Sequence, residues 1–214
     1  MIIYKASNLI GSFLIGLLLA TNLAVTFYIN YHFDLGAWSI PFAPNLYDFM
    51  KHIYMVPWVR VTPYLMGICM AIWFYNYKQV QDFKAKIDMN PHSNLKQPSL
   101  GFGFKLFTFI EQSFCATWAF FIIGIGFTFY AVFGNYDYNK NLGNAWTRTG
   151  QAFYTTFDRT IFTSGVMLIL IPMFAGKLTW LTIALGNSVF AAMAKVTYSV
   201  YLLHLVFIIV FAGS

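Results

Sequence analysis

Three sets of polar residues in this sequence have the types and the spacing to do chemistry. Arg60, Tyr64 and Gly67 follow one another at intervals of four and three. Arg159 and Thr163 are four apart, with Asp158 alongside, and Thr197, Tyr201 and His204 again run at four and three. Such intervals put each set on one face of a helix. Glu111 stands just ahead of an apolar run. A guanidinium on such a face can hold an anion or a developing oxyanion, and a neutral imidazole suits acid–base work near pH 7. Each set has a plainer reading too. An arginine at the end of a membrane span snorkels to the headgroups. Asp158 can cap a helix N-terminus, and His204 can simply bond to a neighbouring helix.

Other chemistries leave no trace. The sequence has no P-loop, no dinucleotide-binding glycine pattern, no His-Glu-x-x-His, no Cys-x-x-Cys and no Gly-x-Ser-x-Gly. His32, His52, His92 and His204 are too scattered to suggest a metal site, and none is expected. Cys69 and Cys115 both fall in apolar stretches and read as space-filling residues rather than a disulfide.

The elements that must position these residues follow from composition. Of 214 residues, 59% are hydrophobic and 9% charged, with a mean hydropathy of +0.62. Soluble domains carry about 25% charged residues, so this chain cannot cover a globular surface with polar groups. The net charge of +6 has no dense basic run to engage nucleic acid. The reading is an all-α integral membrane protein: one membrane domain over 1–214, a polytopic helical bundle of about five transmembrane helices, six if 177–194 also crosses.

The expected spans are 8–29, 60–75, 113–133, 159–175 and 196–213. Pro63 falls in the first turn of the second, where proline is tolerated. Ser12, Gly16 and Ala20 form a small-residue face on the first, suited to close helix approach. Residues 31–59 read as an aromatic, proline-bearing loop, 76–112 as a polar cytoplasmic loop and 134–157 as a second loop. Gly186, Asn187 and Ser188 interrupt 177–194, which reads as interfacial or re-entrant. With the N-terminus in the cytoplasm, eight of the Lys and Arg residues lie on the inner side and five on the outer, the direction of the positive-inside rule. No internal repeat and no Asn-x-Ser/Thr acceptor occurs.

Three stretches, in order, resemble the acyltransferase-3 family of membrane proteins, and within it the branch named for nose resistant to fluoxetine. "AKVTYSVYLLH" is similar to that branch's late signature through Thr197, Tyr198, Tyr201, Leu202 and His204. "YMVPWVRVTPYLMGICMAI" resembles an earlier segment through Pro57, Trp58, Arg60, Pro63, Tyr64 and Gly67. "YTTFDRTIFTSGVMLILIPMFAGK" resembles a segment whose arginine precedes a span, here Arg159. The resemblance covers roughly residues 54–204 and implies the C-terminal half of a larger helical bundle. It also implies an O-acyltransferase-like activity, passing an acyl group from acyl-CoA or a similar donor to a hydroxyl acceptor such as a lipid or sugar. No permanently bound cofactor is implied. The family's best-known catalytic arginine and histidine lie in earlier spans, with no counterpart here. His204, Tyr201, Arg60 and Arg159 therefore carry over as family-patterned positions and as the catalytic candidates of this chain. Expected partners are membrane lipids and the missing bundle half or other membrane subunits. Two rivals stand beside the enzyme: a non-catalytic structural subunit of a membrane complex, and a transporter of lipids or small molecules.

Overall fold

The computed structural model describes residues 8–37, 48, 50–54, 56–90, 101–141 and 146–212. They form α1 (Asn8–Phe33), a π-helical turn (Met50–Tyr54), a 3-10 turn (Pro57–Arg60), α2 (Val61–Met89), α3 (Phe102–Gln112), α4 (Phe114–Phe133), α5 (Tyr136–Lys140), α6 (Arg148–Phe174), α7 (Thr179–Leu185) and α8 (Ser188–Ala212). Among the described residues there is no strand, as expected. Three stretches are long and apolar enough to cross a membrane: Phe13–Phe33 in α1, Phe114–Lys140 through α4 and α5, and Arg148–Phe174 in α6. The expected number was about five. Most side chains of the last expected span, 196–213, lie outside the described ones, and the second, 60–75, is less apolar than a span needs. The 29-residue α2 has the length, but Tyr64, Trp73, Tyr75, Asn76 and Tyr77 dilute its apolar half. Lys78, Asp82, Lys84, Lys86 and Asp88 fill the other.

The helix α6 is the axis of the molecule and touches α1, α2, α3, α4 and α7. Its closest neighbour is the antiparallel α4. A Cβ added at Gly124 of α4 would stand 2.8 Å from the Gly165 carbonyl of α6, and one added at Gly165 would stand 2.8 Å from the Gly124 carbonyl. The two backbones therefore meet with no side chain between them. Thr128, one turn beyond Gly124, bonds back to the Gly124 and Ile125 carbonyls and closes the other side of Gly165. Elsewhere, Met70 and Tyr77 of α2, Phe107 and Ile110 of α3, and Met167 and Ile171 of α6 share one buried apolar cluster. Gly103 of α3 rests directly on the backbone of Trp73 in α2.

Several boundaries differ from expectation. α6 begins at Arg148, not at 159, because the Thr147 hydroxyl accepts from the Gly150 amide and caps the helix. Asp158 therefore lies inside the helix and caps nothing at its start. Residues 76–89 of the expected cytoplasmic loop are helical, as the second half of α2. The interruption at Gly186 is real, but α8 starts at Ser188, eight residues before the expected 196. Gly16 has nothing within 4 Å, and Gly16 and Ala20 are exposed, so among the described residues no helix packs on that small-residue face. Ser12's side chain lies outside the description.

Gly165→Leu is expected to lower stability by about 1–3 kcal/mol, read as an earlier unfolding midpoint in detergent micelles. Gly16→Leu is expected to leave the midpoint unchanged. Equal midpoints for wild type and Gly165→Leu would show that α4 and α6 do not meet there.

Candidate functional site

A polar seam runs through the apolar bundle. Asn22, Thr26 and Asn30 recur every fourth residue along α1 and line one face. The Thr62 hydroxyl of α2 donates to Asn22 Oδ1 at 2.6 Å. Asn30 Nδ2 donates to the Thr26 carbonyl at 3.0 Å and to Thr156 Oγ1 of α6 at 3.5 Å. Thr155 donates to the Gly36 carbonyl at 3.2 Å, and Asn135 Nδ2 to the Ala37 carbonyl at 3.0 Å. Away from water such bonds draw helices together, because the alternative is a polar group left in hydrocarbon. The satisfaction is incomplete. Asn30 Oδ1 and Thr160 Oγ1 are buried and have no partner among the described residues.

Asp158, Arg159 and Thr160 follow Thr156 on α6. Arg159 is the twelfth of the helix's 27 residues. The helix is about 40 Å long, so Arg159 lies about 16 Å from its start, close to the middle. It is half-buried. Its carbonyl accepts from the Thr163 hydroxyl at 2.8 Å, which joins the two residues expected to share a face. The Asp158 carboxylate accepts from the Arg159 backbone amide, and the two side-chain charges act on each other through space. Among the described residues the guanidinium itself has no hydrogen-bond partner. A charged side chain within a membrane-length helix is a functional candidate.

The other expected residues do not converge on this point. Pro57 begins the 3-10 turn and is exposed. Arg60 precedes α2 and is exposed, Tyr64 is 72% exposed, and Gly67 opens onto empty space. These three do share a face, but it looks away from the bundle. Thr197 lies on α8. It is exposed, and its hydroxyl bonds only to the Met193 carbonyl one turn back in α8. The side chains of Trp58, Tyr198, Tyr201 and His204 lie outside the described ones.

A structural arginine was not visible in the sequence. Arg148 Nε donates to the Tyr31 carbonyl at 2.8 Å and Nη2 to the His32 carbonyl at 2.9 Å, with the guanidinium 4.9 Å above the Tyr31 ring. It thereby satisfies carbonyls that the end of α1 leaves open. Its partners are 117 and 116 residues away, so no local pattern announces the contact. No family model, curated protein or solved structure matches the chain.

Arg148 and Arg159 are expected to respond differently to loss of charge. Arg148→Met should cost about 1–3 kcal/mol through two orphaned carbonyls. Arg159→Met should cost less than Arg148→Met, since it breaks no side-chain hydrogen bond although it removes the charge that faces Asp158. A loss at Arg159 as large as that at Arg148 would assign Arg159 to the scaffold.

Proposed function

We propose that this chain is part of a membrane-embedded O-acyltransferase that moves an acyl group from an acyl-CoA-type donor to a hydroxyl acceptor, a lipid or a sugar. The observation that carries the reading is the Arg159 guanidinium, which faces the Asp158 charge and makes no hydrogen bond among the described residues, in a stretch whose arginine the resemblance matches. When a hydroxyl adds to a thioester, the carbonyl oxygen gains negative charge. That charge is relieved when the carbon–sulfur bond breaks and the thiolate leaves with the proton. A preorganised cation in a water-poor site stabilises that oxygen strongly. The base that receives the hydroxyl proton belongs, by the resemblance, to spans upstream of the matched stretch. With the N-terminus in the cytoplasm, the charged end of α2 and α3 face the side from which an acyl-CoA arrives.

One observation favours the second reading, a non-catalytic subunit of a membrane complex. Every described side chain from Thr182 to Val200 is exposed. That length of helix is open to another subunit.

The test uses native membranes carrying the full protein, a radiolabelled long-chain acyl-CoA and the endogenous hydroxyl lipids. Labelled ester is expected to form. Arg159→Gln should reduce it about a hundredfold at unchanged protein level, and His204→Ala should reduce it as well. Full transfer by Arg159→Gln would end the role given to that residue. Absence of any wild-type transfer, together with stable co-purifying subunits, would favour the structural reading.

A further inference from the structure

A second site lies at the other end of α6, away from Arg159. A cavity of about 240 Å³ opens between the α3–α4 junction and the α6–α7 turn, lined by Glu111, Gln112, Thr117, Trp118, Lys177 and Trp180 among others. Both rims are built by defined backbone geometry. At the first, Ser113 is extended, ending α3 and starting α4, and its hydroxyl accepts from the Ala116 amide at 3.3 Å. At the second, Gly176 adopts φ +77°, which favours glycine. The Gly176 amide bonds the Met173 carbonyl, and the Lys177 amide bonds the Pro172 carbonyl. That pair of bonds is a Schellman ending, and it delivers Lys177 to the cavity.

The charges in the cavity are opposite and separated. Tyr77 donates to Glu111 Oε2 at 3.2 Å and orients the carboxylate. Burial first, and the Glu111 carboxylate second, push the Tyr77 phenol above its usual range, so it remains a donor. Among the described residues Glu111 and Lys177 form no ion pair, with each other or with a third group. Trp118 and Trp180 both meet Phe121 edge-on, at 5.9 Å between ring centroids, which fixes two indoles beside the charges. The cavity stands where the membrane-length helices α4 and α6 end, at the level where tryptophans favour the membrane–water interface.

We propose that this cavity binds the headgroup of a zwitterionic phospholipid, its phosphate on Lys177 and its ammonium between Glu111 and the tryptophan rings. An anionic lipid would leave Glu111 facing like charge, and a simple cation would leave Lys177 without a role. A cation near an indole face gains further attraction. The cavity is smaller than the roughly 300–1,000 Å³ that encloses whole drug-sized ligands, which suits a headgroup whose acyl chains remain in the bilayer along α4. The proposal is independent of acyl transfer.

The test is native mass spectrometry of the full chain released from detergent, titrated with phosphatidylcholine, phosphatidylethanolamine, phosphatidylglycerol or diacylglycerol. The two zwitterionic lipids are expected to bind about tenfold more tightly than phosphatidylglycerol and diacylglycerol. Glu111→Gln keeps an acceptor for Tyr77, and Lys177→Gln changes an exposed side chain, so both variants should fold. Each should weaken zwitterionic binding about tenfold. Equal binding of all four lipids, or wild-type affinity in both variants, would overturn the site. Soluble phosphocholine binding as tightly as the lipid would overturn its assignment to the membrane.

Discussion

The contact on which the rest of this structure depends is the crossing of α4 and α6 at Gly124 and Gly165. Each glycine leaves room for the other's carbonyl, and a Cβ on either would intrude to 2.8 Å. Between lipid-facing helices, hydrophobic burial supplies little drive, and close van der Waals contact must replace it. This crossing supplies that contact and sets the two helices antiparallel. At one end it brings Tyr154 to the Ala131 carbonyl and leaves an aromatic cavity of about 340 Å³ lined by Tyr130, Trp146, Phe153 and Tyr154. At the other end it brings the start of α4 beside Lys177, where the cavity with separated charges opens.

With α6 held on one side by α4, its other sides take α1, α2 and α3. α2 and α3 dock through apolar side chains around Phe107. α1 docks through Asn22, Thr26 and Asn30 and through the grip of Arg148 on its last carbonyls. The polar contacts carry a liability. Each group must find a partner in a low-dielectric interior, and Asn30 Oδ1 and Thr160 Oγ1 do not among the described residues. The unmet Thr160 hydroxyl and the Asp158–Arg159 charges fall in the same part of α6. Stability alone would not place them there, and that is the physical ground for reading the segment as functional.

Parts of this arrangement are legible in the linear pattern. The apolar run after Ser113 predicts α4 to within a residue, because Ser113 is a good cap and the run carries no charge. Gly186-Asn187-Ser188 marks the break between α7 and α8. Glu111 stands out as an acid beside an apolar run, although nothing local pairs it with Lys177. The start of α6 is not legible. Residues 148–158 look polar enough for a loop, and they are helical because Thr147 caps them and Arg148 and Thr155 bond to the end of α1. That shift of eleven residues moves Arg159 from a span end to mid-helix.

The sequence by itself determined the class of solvent and the class of fold. So few charges and so many apolar residues suit a bilayer, with three described stretches long and apolar enough to cross one, and a backbone in a bilayer satisfies its own hydrogen bonds most simply as helix. The tertiary structure alone decided which equivalent-looking residues matter. Gly16 and Gly165 both sit in apolar helices, yet one faces open space and the other a carbonyl. Arg60, Arg148 and Arg159 are alike as letters, yet one lies exposed ahead of a helix, one closes the end of α1 and one stands half-buried beside Asp158. The reason is physical: composition fixes the average environment of a residue, whereas its role is set by the atoms within about 4 Å of it. For these residues those atoms come from segments tens to more than a hundred positions away.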